Sequence, residues 1–101
     1  MLVEELEKLV RSVQERKAKS QTVELKTAEK GCPTRLFDSL SSFSNQDEGG
    51  IILFGISEQD DFQLTGVYDV QDLQKKVTEQ CRQMEPAVRA LFTVCEMSKR
   101  F

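Results

Sequence analysis

The chain has 101 residues, of which 39% are hydrophobic and 31% charged, and this composition is typical of one compact domain with a modest core. Its net charge of −3 argues against a strongly basic protein that binds nucleic acid by bulk electrostatic attraction. Three cysteines without CxxC spacing and the lack of histidine argue against a zinc site and a histidine general base, so we expect reduced thiols.

The N-terminus lacks the basic and then apolar run of a secretory signal, and no stretch approaches the ~20 apolar residues that span a bilayer. We therefore expect a cytoplasmic protein without membrane contact. The charges are unevenly distributed, because residues 31–68 hold six acids and a single base, Arg35. Contacts with phosphate are expected mainly from the flanking elements.

The first predicted element is an amphipathic helix over residues 1–18, since apolar residues recur there at helical spacing. The apolar stripe consists of Leu2, Leu6, Leu9, Val10 and Val13. This stripe needs a partner surface, which is either the sheet of the same chain or a second copy of the helix in a homodimer. The sequence leaves both options open.

A half-buried strand is predicted over residues 22–27, where apolar or β-branched residues alternate with polar ones. Glu24 and Lys26 share one face of this strand. A second helix follows over residues 33–44, because proline is well tolerated at the first helical position. Its buried stripe consists of Leu36, Phe37, Leu40 and Phe43.

The centre of the chain, residues 39–58, contains the end of this helix, a polar loop and a strand over residues 51–56. Apolar residues on both faces of the strand place it at the centre of a sheet. Gly49 and Gly50 precede it and fit either a sharp bend or a close approach of the backbone to another group. A turn at residues 59–61 and a shorter strand over residues 62–67 complete a hairpin.

The remaining elements are a third helix over residues 69–84 and a last strand over residues 91–95. Asp69 or Asp72 is a suitable helix cap, and Pro86 ends the helix. The predicted order is therefore αβαββαβ. We expect an α+β fold in which one mixed sheet of about four strands packs against the helices.

Four short motifs occur in order along the chain. They are Val23-Glu24-Leu25-Lys26 after Ser20, Leu40-Ser41-Ser42-Phe43-Ser44-Asn45, Gly49-Gly50-Ile51-Ile52-Leu53-Phe54-Gly55-Ile56 and Thr65-Gly66-Val67. Together they resemble the AlbA-type domain of the Schlafen family, formerly called a divergent AAA domain. The resemblance implies the N-terminal domain of a bacterial transcriptional regulator. We therefore expect an N-terminal helix, residues 1–18, and a Schlafen-type domain, residues 19–101, that belongs to a longer protein.

The resemblance also implies a position for a nuclease site. Animal members of the wider family are RNA endonucleases that use three carboxylates. Glu24 matches the second of these and Glu58 stands where the third is expected, but Lys19 takes the place of the first. Glu24 and Glu58 are thus the candidate catalytic residues and the candidate ligands for Mg²⁺ or Mn²⁺. With a lysine among them, the expected activity is binding rather than cleavage.

Six residues are candidates for contact with nucleic acid. They are Lys19, Lys26, Arg35, Asn45, Gly49 and Gly50. Each also has a local interpretation, as a solvated charge, a helix end or a turn. ATP binding is disfavoured because the GxxxxGK[ST] pattern is lacking.

The function that we expect from the sequence is binding of DNA or RNA through backbone phosphates, without sequence specificity from this domain alone. A metal-dependent endoribonuclease-like domain with a degenerate carboxylate site is one alternative. A dimerisation scaffold without a ligand is another alternative, and it is supported by the acidic centre of the chain and by the free apolar stripe of the first helix.

Overall fold

The first helix packs on a small sheet of the same chain. The computed structural model describes residues 1–33, 36–45 and 49–97 and has an α+β architecture. Its elements are α1 (Val3–Arg16), β1 (Val23–Lys26), α2 (Phe37–Ser44), β2 (Ile51–Phe54), β3 (Ile56–Ser57), β4 (Gln63–Leu64) and α3 (Val70–Gln83). Among the described residues, no helix is long and apolar enough to cross a membrane.

The stripe of α1 is used within the chain. Val10 and Val13 are buried in a cluster with side chains of β1, β2 and β3, and Leu6 and Leu9 pack against this cluster. Leu2 remains 65% exposed at the start of the helix. The helix thus packs on the sheet of its own chain from Leu6 to Val13. A homodimer through this helix stays a prediction.

The strands form two separate pairs. β1 and β2 are parallel, with Val23 opposite Ile51, and β3 and β4 are antiparallel. Within the described residues there are therefore two sheets of two strands, and the single mixed sheet of about four strands that was predicted is not confirmed. The cause lies at Gly55, whose φ of 95° turns the chain out of β2, a conformation that glycine adopts without strain.

Gly55 also joins the two pairs by hydrogen bonds. Its N–H donates to the carbonyl of Lys26 at 2.8 Å, while its own carbonyl accepts from the N–H groups of Thr65 at 2.8 Å and Gly66 at 3.1 Å. The hairpin of β3 and β4 is thereby fixed at the end of β2. The hairpin predicted between residues 51–56 and 62–67 is confirmed, with only Ile56–Ser57 and Gln63–Leu64 as paired strands.

The second face of the β1–β2 pair is covered by α2 and α3. Their buried side chains form a second cluster, which Ile52 and Phe54 contact from β2. The buried members are Ala28, Leu36, Leu40, Leu73, Val77 and Cys81. The Asp69 carboxylate accepts from the N–H of Asp72 at 3.0 Å, so Asp69 is the cap of α3.

The predicted order αβαββαβ is wrong in two places. The strand predicted over residues 51–56 is divided into β2 and β3, and the strand predicted over residues 91–95 is not formed, so the order is αβαβββα. Residues 87–97 carry neither helix nor strand. Thr93 instead donates its hydroxyl to the carbonyl of Met1 at 2.8 Å, and Leu91 is 82% exposed. Residues 91–95 are rich in apolar and β-branched side chains, but a strand also needs a partner edge, which the local sequence does not specify.

Candidate functional site

The structure brings together the three residues that the resemblance placed at a nuclease site. Lys19 lies in the loop between α1 and β1, Glu24 is the second residue of β1, and Glu58 directly follows β3. The Lys19 Nζ atom is 3.2 Å from Glu24 Oε1 and 3.5 Å from Glu58 Oε2. We call these three residues the Lys19 cluster. It joins the loop before β1 and β1 itself to the hairpin, which is distant from both in sequence.

The Lys19 cluster is partly shielded from solvent. The side chains of Lys19, Glu24 and Glu58 are 27%, 33% and 49% exposed. Burial lowers the pKa of Lys19, but the hydrogen bond and charge of Glu24, followed by those of Glu58, outweigh it and raise the pKa above the usual lysine value. Lys19 is therefore a stable ammonium at neutral pH, and the cluster holds two negative charges and one positive charge.

These side chains do not fit a site for Mg²⁺ or Mn²⁺. Such hard cations take several oxygen ligands, and Mg²⁺ holds them at about 2.0–2.1 Å. Here only two carboxylates converge, and an ammonium lies between them. Within the described ranges, no group of three or more acidic, histidine or cysteine side chains is suitable for a metal. The assignment of a metal to Glu24 and Glu58 stays a prediction.

Lys26 lies on the same strand face as Glu24, two residues further along β1. Its partner in the register of the parallel pair is Phe54, and its side chain is half-buried. Glu24 forms its ion pair with Lys19 instead, and Lys26 forms none with the residues that the structure describes. The candidate Arg35 lies outside the described residues.

The other candidates have local structural roles. Asn45 ends α2, where its N–H donates to the carbonyl of Ser41 at 3.3 Å. Gly49 has a φ of 69°, and a Cβ at Gly50 would overlap the ring of Phe43. The two glycines directly precede β2. The N–H of Ile51, the first residue of β2, donates to the carbonyl of Thr22 at 2.8 Å, so the glycines lie at the same end of the β1–β2 pair as Glu24.

Sequence reasoning missed the contacts that the hairpin makes beside this site. Lys17 Nζ lies 2.8 Å from Asp61 Oδ1 and 2.9 Å from Asp61 Oδ2. Gln14 donates to the carbonyl of Phe62 at 3.0 Å, and the buried hydroxyl of Ser57 donates to Asp60 at 2.8 Å. Asp60 and Asp61 were interpreted only as a turn. A local pattern gave no signal for partners that are more than forty residues apart.

A comparison with known families identifies the type of domain. The family model described as Schlafen, AlbA_2 matches residues 14–100 and thus covers the sheet, the hairpin and the whole Lys19 cluster. No curated protein and no solved structure matches the chain significantly. The chain therefore belongs to the Schlafen AlbA_2 domain family, as the four sequence motifs had suggested.

Proposed function

We propose that this domain binds nucleic acid through backbone phosphates, without reading the bases and without cleaving the strand. We further propose that it does so as a domain of a bacterial transcriptional regulator. Membership of the Schlafen AlbA_2 family is consistent with binding of nucleic acid. The regulator context is supported by the resemblance of the sequence motifs alone.

The observation that carries the proposal is the position of Lys26. The Lys26 residue is half-buried on β1, and it forms no ion pair with the residues that the structure describes. The nearest acid on the same face of β1 is Glu24, and its ion pair is with Lys19. A phosphate group supplies the missing negative charge and accepts hydrogen bonds from the three ammonium N–H groups.

Cleavage by a metal-dependent mechanism is the second candidate function. It is favoured by one observation, that Glu24 and Glu58 converge on a single point. Such a mechanism requires clustered oxygen ligands that hold a cation and activate water. The ammonium of Lys19 lies where these ligands converge, so we regard binding without cleavage as the better supported function.

The test is a fluorescence-anisotropy titration with single-stranded DNA, duplex DNA and structured RNA, with and without Mn²⁺. We expect the affinity to fall at least about ten-fold between ~50 and ~200 mM salt, because each phosphate contact releases counterions. Lys26→Met should weaken binding and reduce the salt slope by about one unit.

The matched control is Lys8→Met. It removes the same charge from the exposed side of α1, which packs on the opposite face of the β1–β2 pair. Binding that does not respond to salt, or an equal loss in both variants, would contradict the proposal. Cleavage of the strand in Mn²⁺ that disappears in Glu24→Gln would instead support the nuclease.

A further inference from the structure

The Lys19 cluster has the dimensions of a site built for an ammonium ion. The distances of 3.2 and 3.5 Å from Nζ to the two carboxylates are those of a hydrogen bond and a close ion pair. The three residues come from a loop, a strand and a hairpin. One cation therefore joins three separate segments of the domain.

We propose that the ammonium of Lys19 is the resident cation of this cluster and excludes divalent metal ions from it, and that Lys19→Glu converts the cluster into a binding site for Mn²⁺. The proposal concerns Lys19, Glu24 and Glu58 alone. It is independent of whether Lys26 binds phosphate.

Exclusion follows from charge and from position. A divalent ion between Glu24 and Glu58 would occupy the point from which the ammonium contacts both, so the ammonium would have to leave and lose both partners. If it stayed nearby, it would repel the metal.

The substitution Lys19→Glu removes both obstacles to metal binding, the positive charge and the ammonium that occupies the site. It changes the cluster from two acids and one base to three acids, and it adds an oxygen donor at the backbone position that already directs its side chain to Glu24 and Glu58. Residues 18–20 lie outside any helix or strand, so the shorter glutamate side chain can approach without breaking an element. Three converging carboxylates are a suitable donor set for Mn²⁺.

The experiment is an isothermal titration of the 101-residue chain with Mn²⁺, together with thermal unfolding in EDTA and in Mn²⁺. We expect no saturable binding of Mn²⁺ to the wild type. Lys19→Glu should bind Mn²⁺ at least about 100-fold more tightly than any residual binding to the wild type. Lys19→Glu should also unfold at a higher temperature in Mn²⁺ than in EDTA. The double variant Lys19→Glu with Glu24→Gln should lose both responses.

Lys17→Glu is the matched control, because it makes the same charge change two residues away, beside Asp61 and outside the cluster. It should not bind Mn²⁺. Should Lys19→Glu be unfolded in EDTA, recovery of its circular dichroism in Mn²⁺ supports the proposal, and failure to recover contradicts it. Wild-type binding as tight as that of Lys19→Glu, or a folded Lys19→Glu that ignores Mn²⁺, would overturn it.

Discussion

Lys17 and Lys19 lie two residues apart after α1, and both form ion pairs with the segment around the β3–β4 turn, yet their surroundings differ. Lys17 pairs with Asp61 in the open, where the two side chains are 58% and 64% exposed. Lys19 pairs with both Glu24 and Glu58 in the partly shielded cluster. The two contacts use the same chemistry but differ in solvent access and in the number of carboxylates.

This difference shows why one contact is structural and the other marks a site. An exposed pair contributes little, typically 0–1 kcal/mol, because water and salt screen it. Removal of Lys19 would leave two carboxylates close together and partly desolvated, which is more costly than the loss of one exposed pair. The Lys17 contact is therefore a weak surface pair beside the hairpin, and the Lys19 cluster sets the electrostatics of the candidate site.

The largest expected effect comes from Gly55→Ala, which should disturb both contacts because the hairpin leaves β2 at this residue. Gly55 has a φ of 95°, and a Cβ there would lie 3.2 Å from the carbonyl carbon of Gly66 and 3.3 Å from Val67 Cγ2. We expect the free energy of unfolding to fall by about 2–3 kcal/mol, from backbone strain and crowding together. Urea unfolding followed by circular dichroism measures this.

Gly66→Ala is the control for Gly55→Ala. Gly66 also has a positive φ, 77°, but open space surrounds the position of its Cβ. It should cost about 1 kcal/mol, the backbone penalty alone. Equal losses in the two variants would show that the close approach of the hairpin to Gly55 does not hold the two sheets together.

A direct comparison of the two lysines gives the next largest effect. Lys19→Met should lower the free energy of unfolding by about 1–2 kcal/mol, since it leaves Glu24 and Glu58 without their shared cation. Lys17→Met should change it by less than about 0.5 kcal/mol, as expected for an exposed pair. Addition of salt should reduce the smaller effect further.

The outcome that would contradict this comparison is an equal loss for Lys17→Met and Lys19→Met. A neutral result for Lys19→Met alone would mean that Glu24 and Glu58 separate and rehydrate without cost. Both variants keep a long unbranched side chain, so packing is the same and only the charge changes.

The periodic elements of this fold were accessible to sequence reasoning because their signal is local. The stripe of α1 and the cap of α3 at Asp69 follow from spacing and residue type within a few positions. The separation into two sheets was not predicted, because Gly55 was considered only as part of an apolar strand. Its effect depends on Gly66, which is eleven positions away.

The candidate site was predicted in part. The motif resemblance pointed to Glu24, Glu58 and the exceptional Lys19, and the structure brings the three together. The resemblance did not show that Lys19 lies between the two acids, because Glu58 reaches β1 only through the folding of the hairpin. The pairing of Lys17 with Asp61 was missed for the same reason.

The smallest expected effect is a decrease, at alkaline pH, in the contribution of Lys19 to the free energy of unfolding. The pKa of Lys19 is raised in the folded state, since the hydrogen bond and charge of Glu24 and the charge of Glu58 outweigh the lowering by burial. Its contribution to stability is then fully present below the usual lysine pKa of about 10.4, and it is lost as the pH rises through the raised value.

The gap in the free energy of unfolding between wild type and Lys19→Met should therefore be constant from about pH 7 to pH 9 and shrink by some tenths of a kcal/mol near pH 11. Burial also raises the pKa values of the Cys32, Cys81 and Cys95 thiols, so both proteins lose stability in alkali. This loss is common to the two and cancels in the difference. Urea unfolding at several pH values measures the gap. A gap that does not shrink, or that widens with pH, would show that the charge of Lys19 does not stabilise the cluster.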